Sequence, residues 1–201
     1  MNPLPLRLAA AAVMAGGLMA IAPAQAAPVF YSFTLSGPAE NPPNASPGTG
    51  TAVVGFDAAA HVLTVQASFA GLVGTTTMAH IHCCVAPPSN VGVATPTPNF
   101  PGFPLGVSSG SYAASFDTLL ASSYNAAFVT ASGGVPQAEA RLGAGLAAGE
   151  AYFNIHTTTF LGGEIRGFAV PVPEPATLGL LVVGLAGLMA AGRRAGVAGG
   201  G

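Results

Sequence analysis

An all-β domain, an antiparallel β-sandwich or Greek-key barrel with one or two short helices, is the fold this chain predicts. Three observations carry it. Apolar residues recur at every second position in several short runs, the period of a strand with one buried face. Clusters of Gly, Pro and Asn separate those runs, as turns between antiparallel strands do. Only two stretches carry helix-boundary signals.

The elements follow in order. Residues 29–36 set Val29, Tyr31, Phe33 and Leu35 at alternate positions, and residues 52–57 form a second strand. Residues 62–69 place Leu63, Val65, Ala67 and Phe69 on one face and Thr64, Gln66 and Ser68 on the other, with His61 solvated at the turn before them. Residues 78–82, 110–116, 151–157 and 163–170 bring the count to seven strands, which with few helices suits a sandwich or barrel. Asp117 is placed to cap a helix carrying Leu119 and Leu120, and a second helix is expected over 137–148, stopped at Gly149. Residues 86–106 hold six prolines (Pro87, Pro88, Pro96, Pro98, Pro101 and Pro104), so they are expected as a long surface loop.

Three segments divide the chain. Residues 1–26 read as a signal peptide: Arg7 is its positive region, 8–22 is apolar, and Ala24-Gln25-Ala26 is a small-residue cleavage box. The mature protein then begins at Ala27. The apolar run is shorter than the ~20 residues of a spanning helix. Residues 27–171 suit a single domain. Residues 172–201 open with a Pro173-Glu174-Pro175 hinge, continue as an uncharged apolar helix over 176–191, and close on Arg193 and Arg194. Those arginines stay cytoplasmic by the positive-inside rule, so this helix holds the exported protein transiently in the membrane.

Charge narrows the function. Within 27–171, two arginines (Arg141 and Arg166) stand against six carboxylates, a net of −4 with histidines neutral, and there is no lysine anywhere. Nucleic acid is excluded as a partner, because phosphate binding needs a basic surface. The 51% hydrophobic content overstates the core, since both terminal segments and abundant alanine inflate it. Gly106-Val107-Ser108-Ser109-Gly110 spells a serine-hydrolase elbow, but a Pro-rich loop precedes it and a strand follows, where that chemistry needs a strand and then a helix.

Chemistry concentrates in two runs. In Ala79-His80-Ile81-His82-Cys83-Cys84, residues two apart share a strand face, so His80 and His82 point together with Met78 while Ile81 points away. In Tyr152-Phe153-Asn154-Ile155-His156, the imidazole of His156 shares a face with Asn154 and Tyr152. The short link to Glu164-Ile165-Arg166 makes a hairpin and is expected to bring Glu164 near His156. His80, His82 and His156 have two readings. They form a copper or zinc site with Glu164 as ligand or support, or they hydrogen-bond backbone groups and fix strand packing. Glu164, Arg166 and Asn154 are either that support or a structural clasp closing the last strand. Cys83 and Cys84 form a vicinal disulfide, add soft ligands beside the histidines, or pair with another chain; on a continuing strand Cys84 shares the histidine face.

The segment from Leu35 to Pro43 with Glu40, the His80-Ile81-His82 pair, and Asn154-Ile155-His156-Thr157 with Gly163-Glu164-Ile165-Arg166-Gly167 together resemble a CHRD domain, the module repeated in chordin. The resemblance spans about 30–168 and implies a β-rich extracellular module. Pro173-Glu174-Pro175, the apolar helix and Arg193-Arg194 resemble the PEP-CTERM signal, which implies cutting by an exosortase-type processing enzyme. The expected function is therefore a non-catalytic binding or structural module at the cell surface or in the extracellular matrix, with exopolysaccharide or an extracellular protein as partner. The alternative is a metal-dependent redox protein, similar to copper/zinc superoxide dismutase at the level of fold class and one dipeptide pattern.

Overall fold

Side chains that alternate between apolar and polar force a sheet with one dry face, and the computed structural model, which describes residues 27–173, contains that sheet. Its strands are β1 (Val29–Ser36), β2 (Thr49–Asp57), β3 (Val62–Ala70), β4 (Thr76–Cys83), β5 (Gly110–Asp117), β6 (Ala151–Thr157), β7 (Ile165–Phe168) and β8 (Val170–Pro171). They form one curled antiparallel sheet in the order β4-β6-β7-β1-β2-β3-β5, with β8 also on β1. The expected all-β class is observed. The expected strand over 163–170 is split into β7 and β8, and Ala169 between them bonds back to Ala151.

Phe33, Leu35, Val54, Leu63, Val65 and Phe69 fill the inner face. Val29, expected inside, is exposed at the frayed start of β1. Outward, Thr34, Thr51, Ser68 and Ser111 stand in one row across four strands, which supplies the hydration that so few charges cannot.

The Pro-rich connection between β4 and β5 corrects the expectation of a surface loop. Ala94, Thr95 and Phe100 are fully buried. β4 is a sheet edge, and an open edge needs partners for its backbone groups. The loop supplies them: Ala79 N–H donates to Asn99 Oδ1, Ile81 N–H to Thr95 Oγ1, and the Ala94 and Phe100 N–H groups donate to the carbonyls of Ile81 and Ala79. Phe100 then stacks 5.8 Å from Phe153 of β6 and lies 5.6 Å from Phe116 of β5, filling the core between the two ends of the sheet.

Two helices close the base. The helix expected after Asp117 begins later, as α1 (Ala126–Ser132), because Asn125 supplies the working N-cap by accepting Ala127 N–H. Asp117 instead accepts Leu119 N–H in a turn that leaves Leu119 and Leu120 exposed. The second helix, α2 (Val135–Ala148), agrees with expectation and ends at Gly149 in the left-handed conformation (φ 70°). His61, expected to be solvated, reaches across from its turn to Glu139 of α2, with Nδ1 3.0 Å from Oε1. The signal peptide and the apolar C-terminal helix lie outside the described residues, and no helix among the described residues is long and apolar enough to cross a membrane.

Cys83 and Cys84 form a disulfide with each other. β4 ends at Cys83, and both sulfurs turn onto Gly145 of α2 rather than toward the histidines, so their reading as soft ligands is withdrawn. A methyl group at Gly145 would overlap both sulfurs. Gly145→Ala is therefore expected to destabilise the protein by about 1–3 kcal/mol, the usual cost of overpacking. Urea unfolding of the oxidised protein measures it; an unchanged midpoint would contradict this packing.

Candidate metal centre

The antiparallel register between β4 and β6 sets the site. Met78 faces His156, His80 faces Asn154, and His82 faces Tyr152. On the other side of β6, Asn154 pairs with Arg166 and Tyr152 with Phe168 of β7. Period-two geometry puts all of these side chains on one face. Ile81 and Ile155 point into the core and are fully buried, as expected. The polar face is not wet either: every residue of β6 is buried.

The structure brings His80, His82 and His156 together. Their ring centroids are 5.5–6.0 Å apart, and one ligand atom from each lies within 4.8 Å of the other two. Each ring bonds a backbone carbonyl through one nitrogen: His80 Nε2 to Pro98 (2.7 Å), His82 Nδ1 to Val91 (2.7 Å), and His156 Nδ1 to Leu161 (3.0 Å). A carbonyl only accepts, so each bonded nitrogen carries the proton and the other presents a lone pair. Those other nitrogens, His80 Nδ1, His82 Nε2 and His156 Nε2, are buried without partners. Burial holds all three rings below the ordinary histidine range, His82 at about 4, and the neighbouring imidazoles add to the effect at His80 and His82. The rings are neutral, as metal ligands must be.

Arg166 borders this cluster. Its guanidinium lies 4.8 Å over Tyr152, whose ring stacks 4.6 Å from His82. It donates to the Ala39 carbonyl (2.6 Å), Asn90 Oδ1 (2.6 Å) and the Pro88 carbonyl (2.7 Å). Its carboxylate neighbour is Glu40, 3.8 Å from Nε. Burial pushes Glu40 up to about 7, against the opposing pull of Arg166 and the Asn41 N–H.

Glu164 stands elsewhere. Although β6 and β7 form the expected hairpin, its carboxylate accepts from Ser46 Oγ (2.6 Å), Thr157 Oγ1 (2.6 Å), Val73 N–H (2.6 Å) and Gly74 N–H (3.1 Å). Burial alone would raise it, but these four bonds hold it below the usual carboxylate range. Neither the expected approach of Glu164 to His156 nor a Glu164–Arg166 pair is seen, because those bonds draw the carboxylate to the loops around Ser46 and Val73. Asn154 stays among the imidazoles. Sequence reasoning named Glu40 only within the family-like segment 35–43, with no place at the site, and missed the loop carbonyls; for those of Pro88, Val91 and Pro98 the length of the Pro-rich loop was the available signal, since long loops in small domains usually cover something.

The chain matches the CHRD domain family over residues 31–169, which takes in every side chain of the cluster. It belongs to that family. Residues 171–194 match the PEP-CTERM protein-sorting motif, which marks this CHRD protein for export to the cell envelope or surface and for processing by an exosortase-type system. No curated protein and no solved structure matches the chain. The family thus supplies an address and a module, and the chemistry must be argued from the CHRD face itself.

Two groups on that face pull stability in opposite directions with pH. His82 titrates at about 4 in the fold against an ordinary 6.5, so the unfolded chain binds more protons and stability falls as pH drops through that window. Glu40 titrates at about 7 against 4.5, so the native state binds more protons and stability falls as pH rises from 4.5 to 7. Glu40→Gln removes the opposing slope. The metal-free variant is expected to lose more thermal stability between pH 7 and pH 4.5 than wild type; parallel losses would contradict the placement of this carboxyl.

Proposed function

We propose that this protein is an exported surface module that holds one transition-metal ion, copper or zinc, on His80, His82 and His156. The observation that carries the reading is the set of three buried lone pairs. A buried polar atom without a partner is costly, and three of them converging from neutral rings are matched by a cation. The ring protons already rest on carbonyls, the arrangement that orients metal-bound histidines. Nitrogens around a tetrahedral ion at ~2.0–2.1 Å lie roughly 3.4 Å apart, so small inward rotations from the present spacing complete the set. Copper and zinc both suit imidazole.

A purely structural role is the second reading, favoured by the same three carbonyl bonds, which tie residues 91, 98 and 161 to the sheet. It would leave a non-catalytic binding or structural module, with an extracellular protein or exopolysaccharide as partner. Metal analysis of the purified protein separates the two. One equivalent of copper or zinc is expected in wild type, with affinity reduced at least a hundredfold in His80→Ala and His156→Ala. Folded protein that takes up no metal would overturn the metal reading.

We further propose that residues 1–26 are removed on export, that 27–171 form the working domain, and that the tail is cut near Pro173-Glu174-Pro175 after transient anchoring by the apolar helix and Arg193-Arg194. Mass spectrometry of the mature protein is expected to show a start at Ala27 and an end near Pro173 or Glu174. An intact Gly201 would defeat this account of sorting.

A further inference from the structure

Filling the histidine site leaves two buried oxygens beside it unexplained, apart from Thr77 Oγ1 nearer the start of β4. Asn154 Oδ1 and Glu40 Oε1 have no hydrogen-bond partner, though Asn154 is 3% and Glu40 6% exposed. They are neighbours. Gly163 has φ 131°, and a methyl group built on it would lie 2.5 Å from Asn154 Nδ2, 2.6 Å from Asn154 Oδ1 and 2.7 Å from Glu40 Oε1. The two oxygens are therefore no more than about 5.3 Å apart, the span of two hydrogen bonds to one shared donor. Both oxygens accept, and the Asn154 amide Nδ2 beside them makes no hydrogen bond to Glu40 Oε1. Arg166, a second donor nearby, is committed to Ala39, Asn90 and Pro88.

Asn154 is rooted in the floor of the triad: it faces His80 across the β4–β6 pair and stands two residues from His156 on the same side of β6. A ligand at a free metal position therefore lies beside a carbonyl-type oxygen with a carboxyl behind it. Two unpartnered oxygens there favour a ligand that donates protons over one that only accepts, while Arg166, 3.8 Å from the carboxyl, is the one cation beside them among the described residues. Structural zinc sites are closed by four protein ligands, whereas reactive ones keep a position for an exogenous molecule.

Resting on the metal reading above, we propose that the centre is open: its remaining coordination position holds a water molecule whose protons are accepted by Asn154 Oδ1 and Glu40 Oε1, so that small neutral protic ligands are selected over anions. Asn154 and Glu40 are positioning residues for that ligand, and Gly163 keeps the space between them clear. The absence of a Cβ at Gly163 is required here, because any side chain would occupy the gap that the shared donor fills.

Copper(II) added to the purified full chain is the probe. The expected result is one bound copper whose electron paramagnetic resonance lines broaden in ¹⁷O-enriched water, and an azide affinity that rises about tenfold in Glu40→Gln, where the negative charge is gone. Asn154→Ala, which removes one acceptor and keeps the carboxyl, is expected to raise azide affinity by a smaller factor and serves as the reading should Glu40→Gln fail to fold. Bound copper without ¹⁷O broadening would show a closed centre and overturn this inference alone. Equal azide affinities in wild type and variants would remove Asn154 and Glu40 from it. A wild type that takes up no copper would overturn the metal reading and this inference with it.

Discussion

Burial of β6 on both faces is the constraint on which the rest of the structure turns. One face, through Phe153 and Ile155, belongs to the apolar core. The other carries Tyr152, Asn154 and His156 and is equally dry. A buried polar face must satisfy its groups within the protein, since each unpaired one costs about 1–3 kcal/mol. The chain meets this by laying loops over the face and turning their carbonyls inward. Pro88, Val91, Pro98, Leu161 and Ala39 together accept from three imidazoles and one guanidinium.

This solution has a chemical consequence. The covering loops offer almost only acceptors, so they consume the donors of the sheet face and leave its lone pairs. The unpartnered atoms on that face are three imidazole nitrogens, one amide oxygen and one carboxyl oxygen. A surplus of buried acceptors concentrated in one place is unsuited to another carbonyl or an anion, and suited to a cation or a proton donor. Glu164 shows the contrast. It is fully buried too, yet two hydroxyls and two backbone N–H groups satisfy it, and it serves to lock the loops at Ser46 and Val73 to the hairpin. The same residue type is a finished structural joint in one place and an unfinished acceptor at Glu40.

Much of the frame was legible because it depends on local periodicity. Alternation in residues 29–36 and 62–69 marks strands whatever surrounds them, and His-x-His on a strand must present both rings to one side. Gly149 stops α2 for a reason that acts within one turn of helix. What was not legible depends on which distant segments meet. Glu164 precedes β7 and was expected beside His156, but loops more than ninety residues earlier in the chain hold its carboxylate. Arg166 found Glu40, 126 positions away, rather than the nearby acid. The prolines of 86–106 do exclude a regular strand, but that exclusion carries no information about Phe100, which an edge strand and a gap in the core draw inward. Cys84 was expected on the histidine face only if β4 continued, and β4 stops one residue too soon.

The bonding pattern separates histidines that only fasten loops from histidines that hold a metal. A histidine retained only to fasten a loop needs one nitrogen for that task, and its other nitrogen would be free to face solvent at little cost. Here the second nitrogens are buried, and all three are buried in the same place. Packing alone gives no reason for that convergence, because three isolated unpaired acceptors would each lower stability with nothing gained. Holding the rings neutral through burial carries the further penalty of weakened stability in acid. Both penalties fall at one point, next to a carboxyl that burial pushes up to about 7; the proposed metal-holding role gives a reason for that coincidence, and a loop-fastening role gives none.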